Sequence, residues 1–254
     1  MTHLPKTPSR TFEEINNAIQ EAGIDISLEA VQSMSVIMYR TLLFNRSLIW
    51  GEHEQIFLVQ TPQELIEIYQ LRSTVFGQLE YGEEIPGDVE GLNFDNLDEY
   101  SAILYTKNSG EITGTCRVIF DNVLGLPVEK THAFDREKLQ GKQIAELSRL
   151  ARLTDRGLKQ DFKYLVLGVY KIMIDNDMDI LASVMIPEHF VYYKNFGGFR
   201  EVKKLESYIG MEVPFLVTSW EVSEISAYFK RLYLGIKKEN PAPKGGCGFN
   251  DLAS

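Results

Sequence analysis

The richest chemistry in the chain lies in Ile144–Leu153, which reads Ile-Ala-Glu-Leu-Ser-Arg-Leu-Ala-Arg-Leu. Recurrent apolar residues without a breaker predict a β-strand. A plain core strand carries no charge, yet this one holds Glu146, Arg149 and Arg152. A buried charge must be paired or must shift its pKa, so these groups are either bridged for structure or used for chemistry. Side chains alternate along a strand, so Glu146 and Ser148 share one face while Leu147 and Arg149 take the other. For Glu146 and Arg149 to line one site, the strand needs a bulge between them, and bulges gather near active sites. A structural Glu–Arg pair at a strand end is the competing reading.

Other candidates surround this strand in sequence. Arg72 and Phe76 end a predicted helix, where an Arg also suits the helix C-terminus and a Phe suits the core. Asp95 and Asp98 are three residues apart: they could hold an amine or a metal, but turn formation weighs more. Gly114 and Arg117 lie in a predicted strand, where an interior glycine often marks close approach by a ligand. Arg149, Arg152, Arg156, Lys159, Lys163 and Lys171 form a basic run in an otherwise acidic chain. Such a run is either a solvated face or a docking patch for an acidic partner.

The elements that must position these groups form an α/β arrangement with a mixed sheet. Thr11-x-x-Glu14 and Ser27 cap two helices, over about residues 11–22 and 28–45. They make an N-terminal helical extension, residues 1–54, whose apolar stripes must pack on the main domain or on a partner. The main domain, 55–235, reads strand (56–60), helix from Pro62, acidic loop (80–93), hairpin (100–105 and 111–120, turning at 107–110), mixed segment (124–140), the Glu146 strand, helix (164–174), strand (180–186), helix (187–195), strand (215–222) and helix (223–234). Residues 236–254 read as a flexible tail.

Composition narrows the function. The 254 residues carry a net charge of −10, which argues against general nucleic-acid binding. Two cysteines, Cys116 and Cys247, suggest neither a disulfide framework nor a zinc site, and no metal site is expected. No run reaches membrane-spanning length and the start lacks a signal-peptide core, so a cytoplasmic location is expected. Dinucleotide-binding, Walker and Gly-x-Ser-x-Gly motifs are absent. Neither cysteine has a neighbouring histidine in sequence, which speaks against covalent catalysis.

Taken in order, Arg72-x-x-Val-Phe76, the acidic loop ending in Phe94-Asp95, Gly110 to Arg117, Glu146-x-Ser148-Arg149 and Tyr192 to Phe199 resemble the autoinducer-synthase branch of the GNAT N-acyltransferases. That branch includes the long-chain N-acyl amino acid synthases and the acyl-homoserine lactone synthases, and the resemblance spans about residues 55–222. It implies a splayed mixed sheet with an acyl thioester in the splay and no bound cofactor. The donor is acyl carrier protein, or alternatively coenzyme A, and the acceptor is a small amine or amino acid. By the same resemblance Glu146, Ser148 and Arg149 are catalytic, with Glu146 the general base. Arg72, Phe76, Asp95 and Arg117 shape the substrate site, and Arg152, Arg156, Lys159 and Lys163 dock the acidic carrier. The lactone synthases carry a Trp where residues 77–83 offer only Tyr81, and an Asp where this chain has Leu92. Both differences favour an amino acid over S-adenosylmethionine. The alternatives are a lactone synthase, a silent acyl- or partner-binding module, and an acetyl-coenzyme A acetyltransferase. Against the last, Arg156-Gly157-Leu-Lys-Gln160 lacks the second small residue of a pyrophosphate loop.

Overall fold

The structure, a computed structural model, describes residues 9–24, 27–51, 53–134, 139, 141–153 and 160–239. Two helices come first, α1 (Ser9–Glu21) and α2 (Leu28–Ser47), then the short β1 (Phe57–Leu58) and α3 (Pro62–Phe76). Helix α3 starts on a capping box: the Thr61 hydroxyl accepts from the Glu64 amide, and Glu64 accepts from the Thr61 amide. This satisfies two orphan amides of the first turn.

The acidic segment after α3 is more ordered than a loop. It holds a 3-10 turn at Gly82–Glu84 and a small hairpin, β2 (Asp88–Val89) with β3 (Leu92–Asn93). The hairpin closes on Glu90 and Gly91, both at positive φ, the geometry that suits tight hairpins. Then come β4 (Ser101–Asn108), β5 (Glu111–Phe120), β6 (Ile144–Arg152), α4 (Asp161–Asp175), β7 (Ile180–Met185), α5 (Phe190–Lys194), β8 (Phe199–Leu205), β9 (Phe215–Glu221) and α6 (Ala227–Glu239).

Three boundaries differ from the sequence expectation. β8 was not anticipated. It is an edge strand whose Arg200, Glu201, Lys203 and Lys204 are all exposed, so no apolar alternation announces it. Helix α4 begins at Asp161, where the Asp161 carboxylate accepts from the buried Thr113 hydroxyl at 3.0 Å. Helix α6 runs to Glu239, past the expected end of the main domain at 235. The described tail therefore begins as helix, and residues 240–254 lie outside the described residues.

The main sheet has seven strands in the order β1-β4-β5-β6-β7-β9-β8. All neighbours are antiparallel except β6 and β7. Parallel pairing joins Ile144–Leu147 to Ile180–Ser183 and stops there, although β6 continues to Arg152 and β7 to Met185. The two strands part in mid-sheet.

One sheet face presents Val118, Phe120, Ala145, Leu147 and Leu181 to α4 and α6. On the other face two apolar clusters flank a polar strip. Under α1, α2 and α3 lie Ile103, Tyr105 and Ala151. Around Val128 lie Ile119, Ile144, Ile180, Ala182 and Val217. The extension is thus part of this core: Ile15, Ile19, Met34, Met38 and Leu42 are buried against α3.

Candidate active site

β5 and β6 are out of step at one point. Thr115 pairs with Ala151 and Arg117 with Ser148, so Cys116 of β5 faces two residues of β6, Arg149 and Leu150. The extra residue falls at Arg149, whose φ is +52°. This is a bulge with a non-glycine residue in the left-handed region. It brings Arg149 onto the face that already carries Glu146, Ser148 and Arg117, as the paired-site reading requires. A left-handed arginine costs about 1 kcal/mol or more, so the surrounding bonds must hold it.

They do so through an alternating chain of charges. Arg72 donates to Asp98 (3.2 Å), Arg117 donates to Asp98 (3.0 Å) and Asp95 (2.6 Å), and Arg149 donates to Asp95 (2.9 Å). The order is Arg72–Asp98–Arg117–Asp95–Arg149. Asp95 and Asp98 are also turn formers, the two ends of a capping box on the 3-10 turn Asn96–Tyr100. The same two carboxylates thus end a turn and knit three guanidiniums. Burial pushes the Asp95 carboxyl up, but the Arg117 and Arg149 guanidiniums win and hold it well below the usual carboxylate range. Burial also lowers Arg117, yet Asp95 and Asp98 raise it further.

The other candidates take definite places. Ser148 accepts from Arg117 Nε at 2.9 Å, so its hydroxyl orients that arginine. Phe76 is core, and Arg149 Cζ lies 5.8 Å from the centre of its ring. Gly114 is close-approached by the protein itself: a Cβ there would meet Thr106 Oγ1 at 2.8 Å and Leu165 Cδ1 at 3.3 Å. That removes the ligand explanation for this glycine. Cys116 is buried, and burial pushes its thiol up to about 12.

Glu146 is 2% exposed. Burial pushes its carboxyl up to about 7, against the Val128 amide, which donates to it at 2.8 Å, and against Arg117. A carboxyl poised at neutral pH with an adjacent cation suits proton transfer. Val128 stands on a 3-10 turn, Pro127–Lys130, in the segment the sequence left as mixed.

Two further contacts escaped the sequence. The Pro86 carbonyl accepts from Arg149 Nη2 at 2.6 Å, fixing the acidic segment to β6. Tyr208 packs with Phe215 beside Ile85 and carries the electrostatic influence of Glu146, Arg117 and Arg149. A main-chain carbonyl leaves no mark in a sequence, and Tyr208 lies in a segment with no periodic signal.

Of the basic run, Arg152 and Lys163 are half-buried, with Lys163 Nζ 5.9 Å from the centre of the Tyr228 ring. Arg156 and Lys159 lie outside the described residues. Lys171 is buried and paired with Asp175 at 2.5 Å, so it leaves the surface cluster. A cavity of about 360 Å³ opens at the start of α3 between Glu14, Arg46 and Gln63, and none of its lining residues belongs to the charge chain. Among the described residues no group of three His, Cys, Asp or Glu side chains is placed for a metal, and no helix is long and apolar enough to cross a membrane.

This geometry can be set beside known proteins. The family model of the N-acyl amino acid synthase FeeM matches residues 67–220. The chain belongs to the FeeM family. It is accordingly an N-acyltransferase. The matched span takes in Arg72, Asp95, Arg117, Glu146 and Arg149, and leaves out α1 and α2.

Solved structures agree in fold. FeeM itself, an N-acyl amino acid synthase from uncultured soil microbes, is 18% identical, with a TM-score of 0.53 over 66% of this chain and 91% of that one. BjaI, a coenzyme A-dependent acyl-homoserine lactone synthase solved with S-adenosylmethionine and isopentyl-CoA, is 14% identical, with a TM-score of 0.51 over 67% and 80%. MesI, another coenzyme A-dependent lactone synthase, is 14% identical, with a TM-score of 0.50 over 72% and 96%. The comparison with curated proteins finds no match.

Proposed function

We propose that this member of the FeeM family transfers a fatty acyl group from a carrier-protein thioester to the amino group of an amino acid, with Glu146 as general base. The carrying observation is Glu146: a buried carboxyl raised to about 7, on the same face as the arginine–aspartate chain and beside the point where β6 leaves β7.

In this scheme the Glu146 carboxylate takes a proton from the acceptor's ammonium. The freed lone pair attacks the thioester carbonyl carbon, whose π electrons move to oxygen. Backbone N–H groups of β6 beyond Leu147, released from β7, are suited to that oxyanion. Collapse breaks the C–S bond, the thiolate takes the proton held on Glu146, and the nitrogen sheds its second proton through the freed carboxylate to solvent. The products are an amide and a free carrier thiol, and no acyl-enzyme forms.

The acyl chain is assigned to the apolar face around Val128, Ile144, Ile180, Ala182 and Val217, which adjoins Glu146. Arg152 and Lys163, with Arg156 and Lys159, would meet the acidic carrier. Such a donor would place the reaction in the cytoplasm. Coenzyme A is the alternative donor, and S-adenosylmethionine, bound by BjaI, the alternative acceptor.

The test is mass spectrometry of lipid extracts from cells producing the wild type or Glu146→Gln. N-acyl amino acids in the wild type alone are expected. Homoserine lactones would replace the acceptor, and equal product in both strains would overturn the role of Glu146. In the purified system, Lys163→Glu should raise the KM for acyl-carrier protein about tenfold while leaving that for an acyl-pantetheine thioester alone, as a rim charge acting on an acidic partner would. An equal change with both donors would remove the docking assignment.

A further inference from the structure

The charge chain is uneven. Its members alternate, Arg72–Asp98–Arg117–Asp95–Arg149, so three guanidiniums meet two carboxylates and both ends are cationic. Buried charge without compensation is costly. The two ends differ. Arg72 is fully buried beside Tyr69, with its guanidinium 5.7 Å from the ring centre, and its Nε and Nη2 have no partner. It offers no exposed surface to a ligand. Arg149, with its side chain 8% exposed, is the end that opens toward the site.

Among the described residues Arg149 spends one of its nitrogens on the protein. Nη2 donates to both Pro86 O and Asp95 Oδ2. A guanidinium carries five N–H groups in a planar fork, and among the described residues Nε and Nη1 donate to none. The backbone is held at φ +52° to aim this side chain, an outlier of the kind that accompanies function. Burial and the neighbouring Arg117 together hold the Arg149 guanidinium down at about 10, as expected where positive charge is in excess.

Resting on the acyl-transfer reading, we infer that Arg149 binds the free carboxylate of the acceptor and thereby restricts acceptors to amino acids whose carboxylate is unmodified. A carboxylate on Nε and Nη1 balances the chain at three against three. It also holds the acceptor by the group that its amide, its ester and a simple amine lack. The fork matches a carboxylate in two parallel bonds, which a lysine ammonium does not reproduce.

The experiment compares acceptors in the full-length protein, with a palmitoyl-carrier thioester as donor. Pooled amino acids are set against their pooled primary carboxamides, for the wild type, Arg149→Gly and Arg149→Lys. Glycine suits the left-handed backbone, so Arg149→Gly removes the guanidinium without adding strain. The wild type should prefer the acids by about 10- to 100-fold in kcat/KM. Both variants should lose that preference, chiefly through the KM for the acid. The amine of a carboxamide is the less basic, which biases the test toward amides and against the proposal.

A wild type indifferent to the carboxylate, or a preference that survives in Arg149→Gly, overturns the inference. So does a rise in donor KM with the acid preference intact, which would assign the anion to the donor's phosphate. A wild type that acylates no amine would overturn the acyl-transfer reading instead. Calorimetric binding of the amino acid pool against the carboxamide pool, to wild type and Arg149→Gly, then decides the carboxylate site on its own.

Discussion

At the scale of residues, the role proposed for Glu146 sets activity against stability as pH changes. Its folded pKa, near 7, lies above the ordinary carboxylate value. Between the two values the folded protein holds a proton that the unfolded chain has lost. The group's stabilisation is therefore full at low pH and declines as pH rises toward 7. The proposed general-base activity would run the other way and should rise through pH 7. Glu146→Gln keeps an acceptor for the Val128 amide but removes the buried charge. It should lose about 100-fold or more in kcat and gain thermal stability at pH 8 relative to the wild type. Calorimetric melting at pH 5 and pH 8 checks this, and a variant less stable at both values would mean Glu146 is held ionised. Asp95→Asn tests the neighbouring link. It leaves Arg117 and Arg149 close with less compensation, so a loss of about 3 kcal/mol is expected in urea unfolding. Asp95 also helps raise Glu146, so the acid limb of the pH–rate profile should move down. An unmoved limb would disconnect the two groups.

At the scale of elements, much of the candidate site is legible because β6 breaks its own pattern. A charged trio in an apolar strand signals a paired or working site, and the bulge follows from asking that Glu146 and Arg149 cooperate. The partners were less legible. Asp98 holds Arg72 and Arg117 across 26 and 19 residues of sequence, and no local spacing encodes such a meeting. Local sequence also conceals what fixes the turn that carries Asp95 and Asp98. Part of that work falls to α2, outside the family match. Its Asn45, wholly buried, donates from Nδ2 to Ser101 O and accepts at Oδ1 from the Ile103 amide, so one side chain stands in for a peptide unit on the edge of β4. Arg40 pairs with Glu99 on the same turn. Asn45→Leu leaves an amide and a carbonyl buried without partners, at about 1–3 kcal/mol each. The expected result is a protein destabilised by about 2–5 kcal/mol, with faster amide exchange over residues 95–103. Exchange that quickens elsewhere and spares this segment would deny α2 that role.

At the scale of the whole molecule, the two apolar faces and their helices followed from periodicity, whereas the union of the extension with the core did not. Amphipathic stripes on α1 and α2 fit a partner protein as well as the main domain, and only the fold chooses between them. It chooses the main domain. Ile15, Ala18, Ile19, Met34, Ile37, Met38 and Leu42 are each at most 4% exposed, and they cover Leu65, Ile66, Ile68 and Tyr69 of α3. At about 1.5–3 kcal/mol for each large buried side chain, the contact is worth about 10–20 kcal/mol as an upper bound. Domains of this size are stable by only about 5–15 kcal/mol in total. A fragment starting at residue 55 retains every residue of the family match, yet it bares the outer face of α3, the helix that supplies Arg72. It should not fold: far-ultraviolet circular dichroism should show no cooperative melt, and N-acyl transfer should be absent. A fragment that melts cooperatively and turns over would make α1 and α2 a detachable accessory. Supplying residues 1–54 as a separate peptide separates loss of fold from loss of chemistry, because a purely packing contribution should be restored in trans, cooperative melt and activity together.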